Sequence, residues 1–407
     1  MNSRRKAVLA ILIILLLVFV FFSILLALES SENNQSKIPE AFPVTTIEQR
    51  PTEDASHNTV SDTSSFTTEP FPSSPSEYAD IINNMTLEEK VAQMMIVSCH
   101  KEIDISDASE YGVGAICFYG FSFEGKTKSE VIDMISDYQS LSKIPMIVST
   151  DEEGGTVNRV SLNTNLRAVP FWSPSELYAE GGFDLVESDT EEKADLLLSL
   201  GLNVNLAPVC DIPVSEDNYI YNRCFSLDAN STAQYVSLVV STMKDKGIGS
   251  VLKHFPGYGG SIDTHQYVSY DHRDYSAFEN GDFKPFAAGI EAGADCVMVS
   301  HNIVTCMDEE MPASLSKPVH DILRNTLGFQ GVVMTDDLSM DGITEFTDGE
   351  SAAVAAVIAG NDMLACEDYR GATKAIINAI NDGTITECQI NASVERILNW
   401  KASLGIT

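Results

Sequence analysis

The feature that most constrains the fold of this chain is a series of short apolar segments that recurs between residues 94 and 366. Each segment is a continuous apolar run, as is typical of strands buried on both faces of a parallel sheet. Helical patterns lie between many of them, at 127–142, 191–200, 233–246 and 317–327. The eight predicted strands are 94–98, 115–119, 146–150, 204–208, 251–254, 296–300, 331–335 and 363–366. Eight alternations of strand and helix predict an α/β fold, a (β/α)8 or TIM barrel, with its functional groups at the carboxyl ends of the strands.

Residues 1–28 are predicted to be an N-terminal membrane anchor. Arg4, Arg5 and Lys6 precede an apolar run over residues 7–28, and about 20 apolar residues suffice to cross a bilayer as a helix. A cleaved signal peptide is the alternative, although its apolar core usually has only about 7–15 residues. With the basic cluster inside, the remaining chain is expected to lie outside the cytoplasm, single-pass at the cell membrane, or to be secreted if the segment is cleaved.

Residues 29–76 are predicted to be a flexible linker. They are rich in Ser, Thr, Glu and Pro and have few large apolar residues, so they cannot bury enough surface to offset the entropy of ordering. The remaining residues, 77–407, suit one large barrel. We expect them to form a single catalytic domain that is a monomer, with Thr86 and Glu89 opening its first helix as a capping box.

Composition excludes several classes of function. The net charge of −34 and the pI of about 4.3 argue against nucleic acid, whose phosphates would be repelled. No G-x-x-x-x-G-K loop is present, and no C-x-x-C pair, so we expect no nucleotide, no structural zinc and no other cofactor. Of the eight cysteines, Cys117, Cys296 and Cys366 fall in predicted strands, where buried free thiols are expected.

The segment 251–265 has the pattern of an active site, because an apolar strand leads directly into titratable groups on a glycine-rich loop. Its sequence is Val-Leu-Lys-His-Phe-Pro-Gly-Tyr-Gly-Gly-Ser-Ile-Asp-Thr-His. At the spacing of Asp263 and His265, the carboxylate can accept a hydrogen bond from one imidazole nitrogen while the other faces a substrate. This pair therefore predicts a proton-transfer function. A metal site that includes His254 and His272 is the alternative, but the spacing matches no zinc pattern.

This segment resembles the glycoside hydrolases of family 3, and among them the β-N-acetylglucosaminidases, which carry Lys-His-Phe-Pro-Gly-His-Gly followed by Asp-Ser-His. Two departures are visible: Tyr258 replaces a histidine, and the loop before Asp263 is one residue shorter than expected. The resemblance extends over roughly residues 77–403. It implies that His265 is the general acid and base, oriented by Asp263, and that Lys253 and His254 bind the sugar.

The sequence at two other predicted strand ends also resembles motifs of this family. Residues 151–159 resemble its Asp-x-Glu-Gly-Gly-Arg-Val-x-Arg, with Thr156 in place of the first arginine, which puts any contact from that position in doubt. The resemblance implies that Asp151 binds sugar hydroxyls and that Arg223, in Asn-Arg-Cys-Phe-Ser, holds the substrate. The alternative for Asp151 and Arg223 is a buried ion pair at the barrel mouth.

The predicted seventh strand leads into Asp336 and Asp337. By resemblance Asp336 is the nucleophile, and because adjacent side chains of a strand point in opposite directions, only one of the two is expected to face the barrel axis. The alternative is that Asp336 caps the following helix. His301, after the sixth strand, is expected either to line the sugar pocket or to be a structural histidine.

These features predict a retaining exo-β-N-acetylglucosaminidase that hydrolyses terminal β-linked N-acetylglucosamine of cell-wall or related glycans, such as peptidoglycan fragments, without a cofactor. One alternative is another family 3 enzyme, a β-glucosidase or a glycoside phosphorylase. The other is a catalytically inactive barrel that binds such glycans.

Overall fold

The computed structural model describes residues 78–99, 105–260, 268–344 and 346–406. The predicted anchor (1–28) and linker (29–76) lie outside these residues, and so do Asp263 and His265. Within the described residues, no helix combines the length and the apolar character needed to cross a membrane.

Eight parallel strands form the centre of the fold. Each strand pairs with the next along the chain, and the last pairs back onto the first, for example at Met95 and Leu364. A parallel bridge between Met334 and Met363 joins the seventh strand to the eighth and closes the barrel. The barrel strands are Met95–Cys99, Ala115–Phe118, Ile147–Thr150, Val204–Asn205, Gly249–Phe255, Cys296–Val299, Val332–Thr335 and Leu364–Cys366. A separate two-stranded sheet pairs Tyr270–Asp271 with Ile303–Val304.

Helices surround the barrel and follow its strands. The α-helices of the described residues are Ala79–Asn84, Leu87–Gln93, Ser106–Tyr111, Lys128–Leu141, Pro174–Leu200, Ala229–Lys246, Tyr275–Ala277, Phe283–Ala292, Lys317–Asp321, Asp341–Thr344, Gly349–Ala359, Tyr369–Asn381 and Glu387–Ser403. Short 3-10 turns lie at Gly120–Ser122, Tyr221–Arg223 and Ala313–Leu315, and π turns at Phe278–Asp282 and Ile322–Thr326.

Local sequence explains where the helices begin. The predicted capping box is present: the Thr86 hydroxyl accepts a hydrogen bond from the Glu89 amide, and the Glu89 carboxylate accepts one from the Thr86 amide. Ser173 and Glu176 form the same motif at the start of Pro174–Leu200, with proline at the first helical position. These contacts satisfy backbone N–H groups that would otherwise lack partners at a helix start.

The barrel prediction is confirmed at all eight strands, with boundary shifts of a few residues. The fourth strand is shorter than predicted and ends at Asn205, because the Ala207 amide turns back to donate to the Asn205 carbonyl at 2.8 Å, and proline at 208 has no N–H to donate. The helix predicted over 191–200 begins much earlier, at Pro174, and has a break at Gly182, whose φ is +65°. The pattern over 127–142 corresponds closely to helix Lys128–Leu141.

The cysteines of the described residues are unpaired, as predicted for Cys117, Cys296 and Cys366, which are buried. Burial raises the pKa of the Cys117 and Cys296 thiols well above the usual value, so these thiols should be unreactive in the folded protein. Cys306 and Cys388 are exposed.

Alkylation should therefore modify Cys306 and Cys388 in the native protein and all eight cysteines only after denaturation without a reductant. Mass spectrometry of the labelled peptides measures this directly. Peptides that link Cys117, Cys296 or Cys366 to another cysteine would contradict the strand placement as well as the redox state.

Candidate active site

A cavity of about 340 Å³ opens at the carboxyl ends of the barrel strands. The side chains predicted there from the sequence meet in its wall, although they come from four different strand ends: Asp151, Arg223, Lys253, His254 and Asp336. Asp263 and His265, the predicted proton-transfer pair, lie outside the described residues. The structure therefore brings together five of the seven predicted site residues.

An irregularity in the fifth strand explains how two adjacent residues reach the same cavity. Leu252 pairs with Val297 and Phe255 with Val299, so the fifth strand has one residue more than its partner between these pairs. A bulge of this kind redirects side chains that would otherwise alternate between the two faces of a sheet. Lys253 and His254 consequently both line the cavity.

A network of four charged side chains forms one wall of the cavity. The ammonium group of Lys253 lies 2.6 Å from Oδ1 of Asp151 and 2.6 Å from Oε1 of Glu153. Arg223 donates two hydrogen bonds to the same Glu153 carboxylate, from Nε at 3.0 Å and from Nη2 at 2.8 Å. The side chains of Lys253 and Glu153 are each only 2% exposed, so water screens these charges weakly.

The charges of this network stabilise one another. Burial alone would raise the pKa of Glu153, but the attraction of Arg223 and Lys253 outweighs it and holds that pKa far below the usual value. Burial alone would lower the pKa of Lys253, but Asp151 and Glu153 raise it. Glu153, Lys253 and Arg223 therefore stay ionised at neutral pH, and the network offers fixed N–H donors and carboxylate acceptors to a polyhydroxylated ligand.

His254 has a defined tautomer. Its Nε2 accepts a hydrogen bond from Nη2 of Arg223 at 3.3 Å, since a guanidinium can only donate. Its Nδ1 must then carry the proton that is donated to Oδ2 of Asp211 at 2.7 Å. Asp211 also accepts the backbone N–H of Tyr258 at 2.7 Å, so this carboxylate connects His254 to the start of the glycine-rich loop.

The sequence from residue 86 onward matches one protein family. The model described as "Glycosyl hydrolase family 3 N terminal domain" matches residues 86–400. The chain belongs to glycosyl hydrolase family 3. This family also accounts for the (β/α)8 barrel with a polar cavity at its carboxyl end.

Several similar proteins are named as β-hexosaminidases or β-N-acetylglucosaminidases. A β-hexosaminidase of Hydrogenovibrio crunogenus is 30% identical over 253 residues, which cover 61% of this chain and 71% of the relative. A family 3 β-N-acetylglucosaminidase structure from Paenibacillus sp. is 28% identical, with a TM-score of 0.74, and the match covers 79% of this chain and 63% of that protein. A β-N-acetylhexosaminidase structure from Beutenbergia cavernae is 25% identical, with a TM-score of 0.71. The match covers 78% of this chain and 99% of that protein.

In this family 3 barrel, Asp336 and Asp337 both line the cavity, whereas strand alternation predicts that only one would. The reason is that the seventh strand ends at Thr335, so the two aspartates lie in a turn. Asp336 is partly exposed, and its Oδ1 accepts the Asp337 backbone N–H at 2.9 Å. Asp337 is buried, and its Oδ1 accepts the N–H and O–H of Ser339 at 2.8 and 2.5 Å.

His301 has structural contacts and is not among the residues that line the cavity. It is fully buried; its Nε2 donates to the Asp337 carbonyl at 2.9 Å, and its Nδ1 accepts from the Ser314 hydroxyl at 2.7 Å. His301 thus supports the turn that carries Asp336, which favours the second of its two predicted roles.

Glu153 is the central residue that sequence reasoning missed as part of the site. It holds both cationic side chains of the network, and its backbone carbonyl accepts a hydrogen bond from Lys193 at 3.2 Å. The signal was present in the family motif, which has a glutamate two residues after Asp151. Its neighbour Glu152 points elsewhere and accepts backbone N–H groups of the following loop, at Arg159 and Val160.

Replacement of Glu153 by glutamine should destabilise the protein, because it leaves Lys253 and Arg223 buried without their shared carboxylate. Breaking one partner of a buried ion pair typically costs about 3–5 kcal/mol. The pKa of Glu153 is lowered from 4.5 in the folded state, so its stabilisation is complete above pH 4.5 and is lost as the pH falls toward the folded value. Denaturant unfolding at several pH values should show a shallower acid slope for Glu153→Gln; an unchanged slope would contradict this assignment.

Proposed function

We propose that this chain is a retaining exo-β-N-acetylglucosaminidase that removes terminal β-linked N-acetylglucosamine from cell-wall or related glycans. The observation that carries the proposal is a single cavity whose wall combines a partly exposed carboxylate, Asp336, with a fixed network of charged hydrogen-bond donors and acceptors. Its volume of about 340 Å³ is near the lower end of the usual range for small-molecule sites, about 300–1,000 Å³. A cavity of this size suits one terminal sugar unit, and the names of the family 3 relatives suggest which sugar.

In the first step of the proposed reaction, the residues of the cavity wall bind the terminal sugar. Arg223 and Lys253 donate hydrogen bonds to the hydroxyl groups of the terminal sugar, and Asp151 accepts them. His254 accepts one at Nε2 in place of its 3.3 Å contact with Arg223. Because Glu153 already fixes Arg223 and Lys253, and Asp211 fixes His254, little conformational entropy is lost when the sugar binds. This binding places the anomeric carbon near Asp336.

The second step is a double displacement. The Asp336 carboxylate attacks the anomeric carbon and forms a glycosyl-enzyme, while the glycosidic oxygen leaves with a proton; water then cleaves the ester bond and restores the carboxylate. The hydrogen bond from the Asp337 amide to Oδ1 orients the Asp336 carboxylate for this attack. His265, oriented by Asp263, donates the first proton and accepts the second.

A comparison of aryl glycosides tests this proposal. The protein should release nitrophenol from the β-N-acetylglucosaminide much faster than from the β-glucoside, and added phosphate should not change the product. A preference for the glucoside would support the β-glucosidase alternative, and sugar phosphate as the product would support the phosphorylase. No release from either glycoside, with glycan binding retained, would support the inactive barrel.

We further propose that residues 1–28 anchor the enzyme in the cell membrane, so that the barrel acts outside the cytoplasm. The intact protein should then be found in the membrane fraction, while a chain that starts near Ser74 should be soluble and fully active, since the first described helix begins only at Ala79. Full-length material in the medium, with its N-terminus cut near residue 28, would indicate a cleaved signal peptide.

A further inference from the structure

A second concave surface lies on the rim of the barrel beside the catalytic cavity. This rim groove has a volume of about 410 Å³, and its wall includes Thr156, Val169, Trp172, Glu176 and Asn222. It is more open than a core cavity, since Val169 and Trp172 are 57% and 49% exposed. Large apolar side chains that stay exposed at the edge of a concave surface often indicate a binding function.

Trp172 is exposed on a backbone that is held firmly on both sides. The carbonyl of Phe171 accepts hydrogen bonds from the Gly155 amide at 2.9 Å and from the side chain of Asn158 at 3.0 Å. The amide of Ser173 donates to the Glu176 carboxylate at 2.9 Å. Because this backbone is held and tryptophan has only two rotatable side-chain bonds, ordering the ring costs little entropy. Trp172 is therefore suited to stack against the apolar face of a sugar ring.

Two pairs of residues that are adjacent in the sequence place the rim groove next to the catalytic cavity. Thr156 lines the groove, while Val157 lines the cavity. Asn222 lines the groove, while Arg223 lines the cavity and holds Glu153 there. A glycan whose end occupies the cavity therefore has a second polar and aromatic surface close by.

The charge of the rim groove limits which kinds of ligand can bind there. Among the residues that the structure describes, Glu176 is the one ionisable side chain in the groove wall. Hydrogen bonds from Ser173 lower the pKa of this carboxyl, so it stays anionic. No lysine or arginine of the described residues lines the groove, and position 156, where the family motif has arginine, holds threonine. A sugar acid would be repelled, whereas neutral hydroxyl and amide groups can hydrogen-bond to Glu176, Asn222 and Thr156.

We propose that the rim groove is a second carbohydrate-binding site, which takes a neutral sugar unit of a glycan with Trp172 as its stacking platform. The choice of a glycan as ligand rests on the proposed function. A protein partner fits less well, because a stable protein interface buries about 1,200–2,000 Å² in total, whereas this groove has the size of a small-molecule site. The site would retain the enzyme on its polymeric substrate and leave the chemistry at Asp336 unchanged.

The tryptophan content makes the proposal directly testable. The chain has two tryptophans, and the other one, Trp400, is only 5% exposed, so quenching of fluorescence by acrylamide reports mainly on Trp172. The full chain carrying Asp336→Asn, which prevents turnover, is titrated with a β-1,4-linked tetrasaccharide of N-acetylglucosamine. The tetrasaccharide should protect the fluorescence from acrylamide, and a tetrasaccharide of galacturonic acid should not.

Variants then separate the groove from the catalytic cavity. Trp172→Ala should weaken binding of the neutral tetrasaccharide by about tenfold in calorimetry, which is about 1.4 kcal/mol, because the sugar loses its stacking surface. Trp172→Tyr should retain part of the affinity. Leu162→Ala is the matched control, because Leu162 is 61% exposed on the same loop but does not line the groove. In the active background, Trp172→Ala should change kcat/KM for the aryl N-acetylglucosaminide by less than about twofold.

Two results would overturn the proposal: no protection of Trp172 by saturating neutral tetrasaccharide, or equal affinities for Trp172→Ala and Leu162→Ala. Equal protection by the acidic tetrasaccharide would overturn the assignment to neutral sugars. These results are independent of the proposed function, which would instead fail if the unsubstituted enzyme left the aryl N-acetylglucosaminide intact.

Discussion

Replacement of Asp336 by alanine is expected to lower kcat for the aryl N-acetylglucosaminide by about 10⁴-fold or more, which is the scale observed when an enzyme loses its nucleophile. Substrate binding should change little, because the groups proposed to bind the sugar belong to a separate network around Glu153. Steady-state kinetics measures kcat, and calorimetry with an uncleaved glycan measures the binding affinity. A loss confined to KM would mean that Asp336 binds the sugar and does not attack it.

A covalent label identifies the attacking carboxylate more directly. A fluoro glycoside that forms the glycosyl-enzyme quickly and releases it slowly should leave its sugar on Asp336. Asp337→Asn is the matched control: its carboxylate accepts the N–H and O–H of Ser339, so this variant should lose loop stability and still be labelled. Label on Asp337 or on Glu153 would assign the role of nucleophile to that residue instead. Release of the α-anomer as first product would exclude double displacement.

The barrel and most of its site could be predicted because the responsible signals are local. Continuous apolar runs such as 296–300 and 363–366 are typical of buried parallel strands, and the structure has strands at Cys296–Val299 and Leu364–Cys366. Strands of one barrel end at the same rim, so the polar residues that follow them had to meet there. For this reason Asp151 and Asp336, separated by 185 positions in the sequence, line one cavity.

The details that sequence could not supply depend on contacts across the fold. The carboxylate of Glu153 is paired with Arg223 and Lys253, which are far away in the chain, so the family motif contains Glu153 but does not show which groups it holds. Strand periodicity also gives no sign of a bulge, so it could not indicate that Lys253 and His254 face the same cavity. The rim groove was hidden for a related reason, since Thr156 and Asn222 come from loops that follow different strands.

Replacement of His265 by alanine should affect poor and good leaving groups very differently. General acid catalysis typically contributes about 10²–10⁴ in rate, so cleavage of a disaccharide, whose sugar alkoxide leaves badly without a proton, should slow by about that factor. A dinitrophenolate leaves readily as an anion. For the dinitrophenyl glycoside the first step should therefore be nearly unaffected, and hydrolysis of the glycosyl-enzyme, which has lost its base, should become rate-limiting.

His272→Ala is the matched control for this variant. His272 is also a histidine near the glycine-rich loop, but it is exposed, and its Nδ1 lies 3.3 Å from the Thr305 hydroxyl. Replacement of His272 should leave the ratio between the rates on the disaccharide and on the dinitrophenyl glycoside unchanged. Asp263→Asn should instead give a milder form of the His265→Ala pattern, because the imidazole stays present without the carboxylate that orients it.

Azide provides the decisive measurement on His265→Ala. As a strong nucleophile that needs no general base, azide should attack the glycosyl-enzyme, raise turnover of the dinitrophenyl glycoside and give the β-glycosyl azide as product. The β configuration matters, because it requires two inversions and hence an intermediate on Asp336. Equal losses on both leaving groups, with no azide product, would mean that His265 only shapes the pocket and that another group supplies the proton.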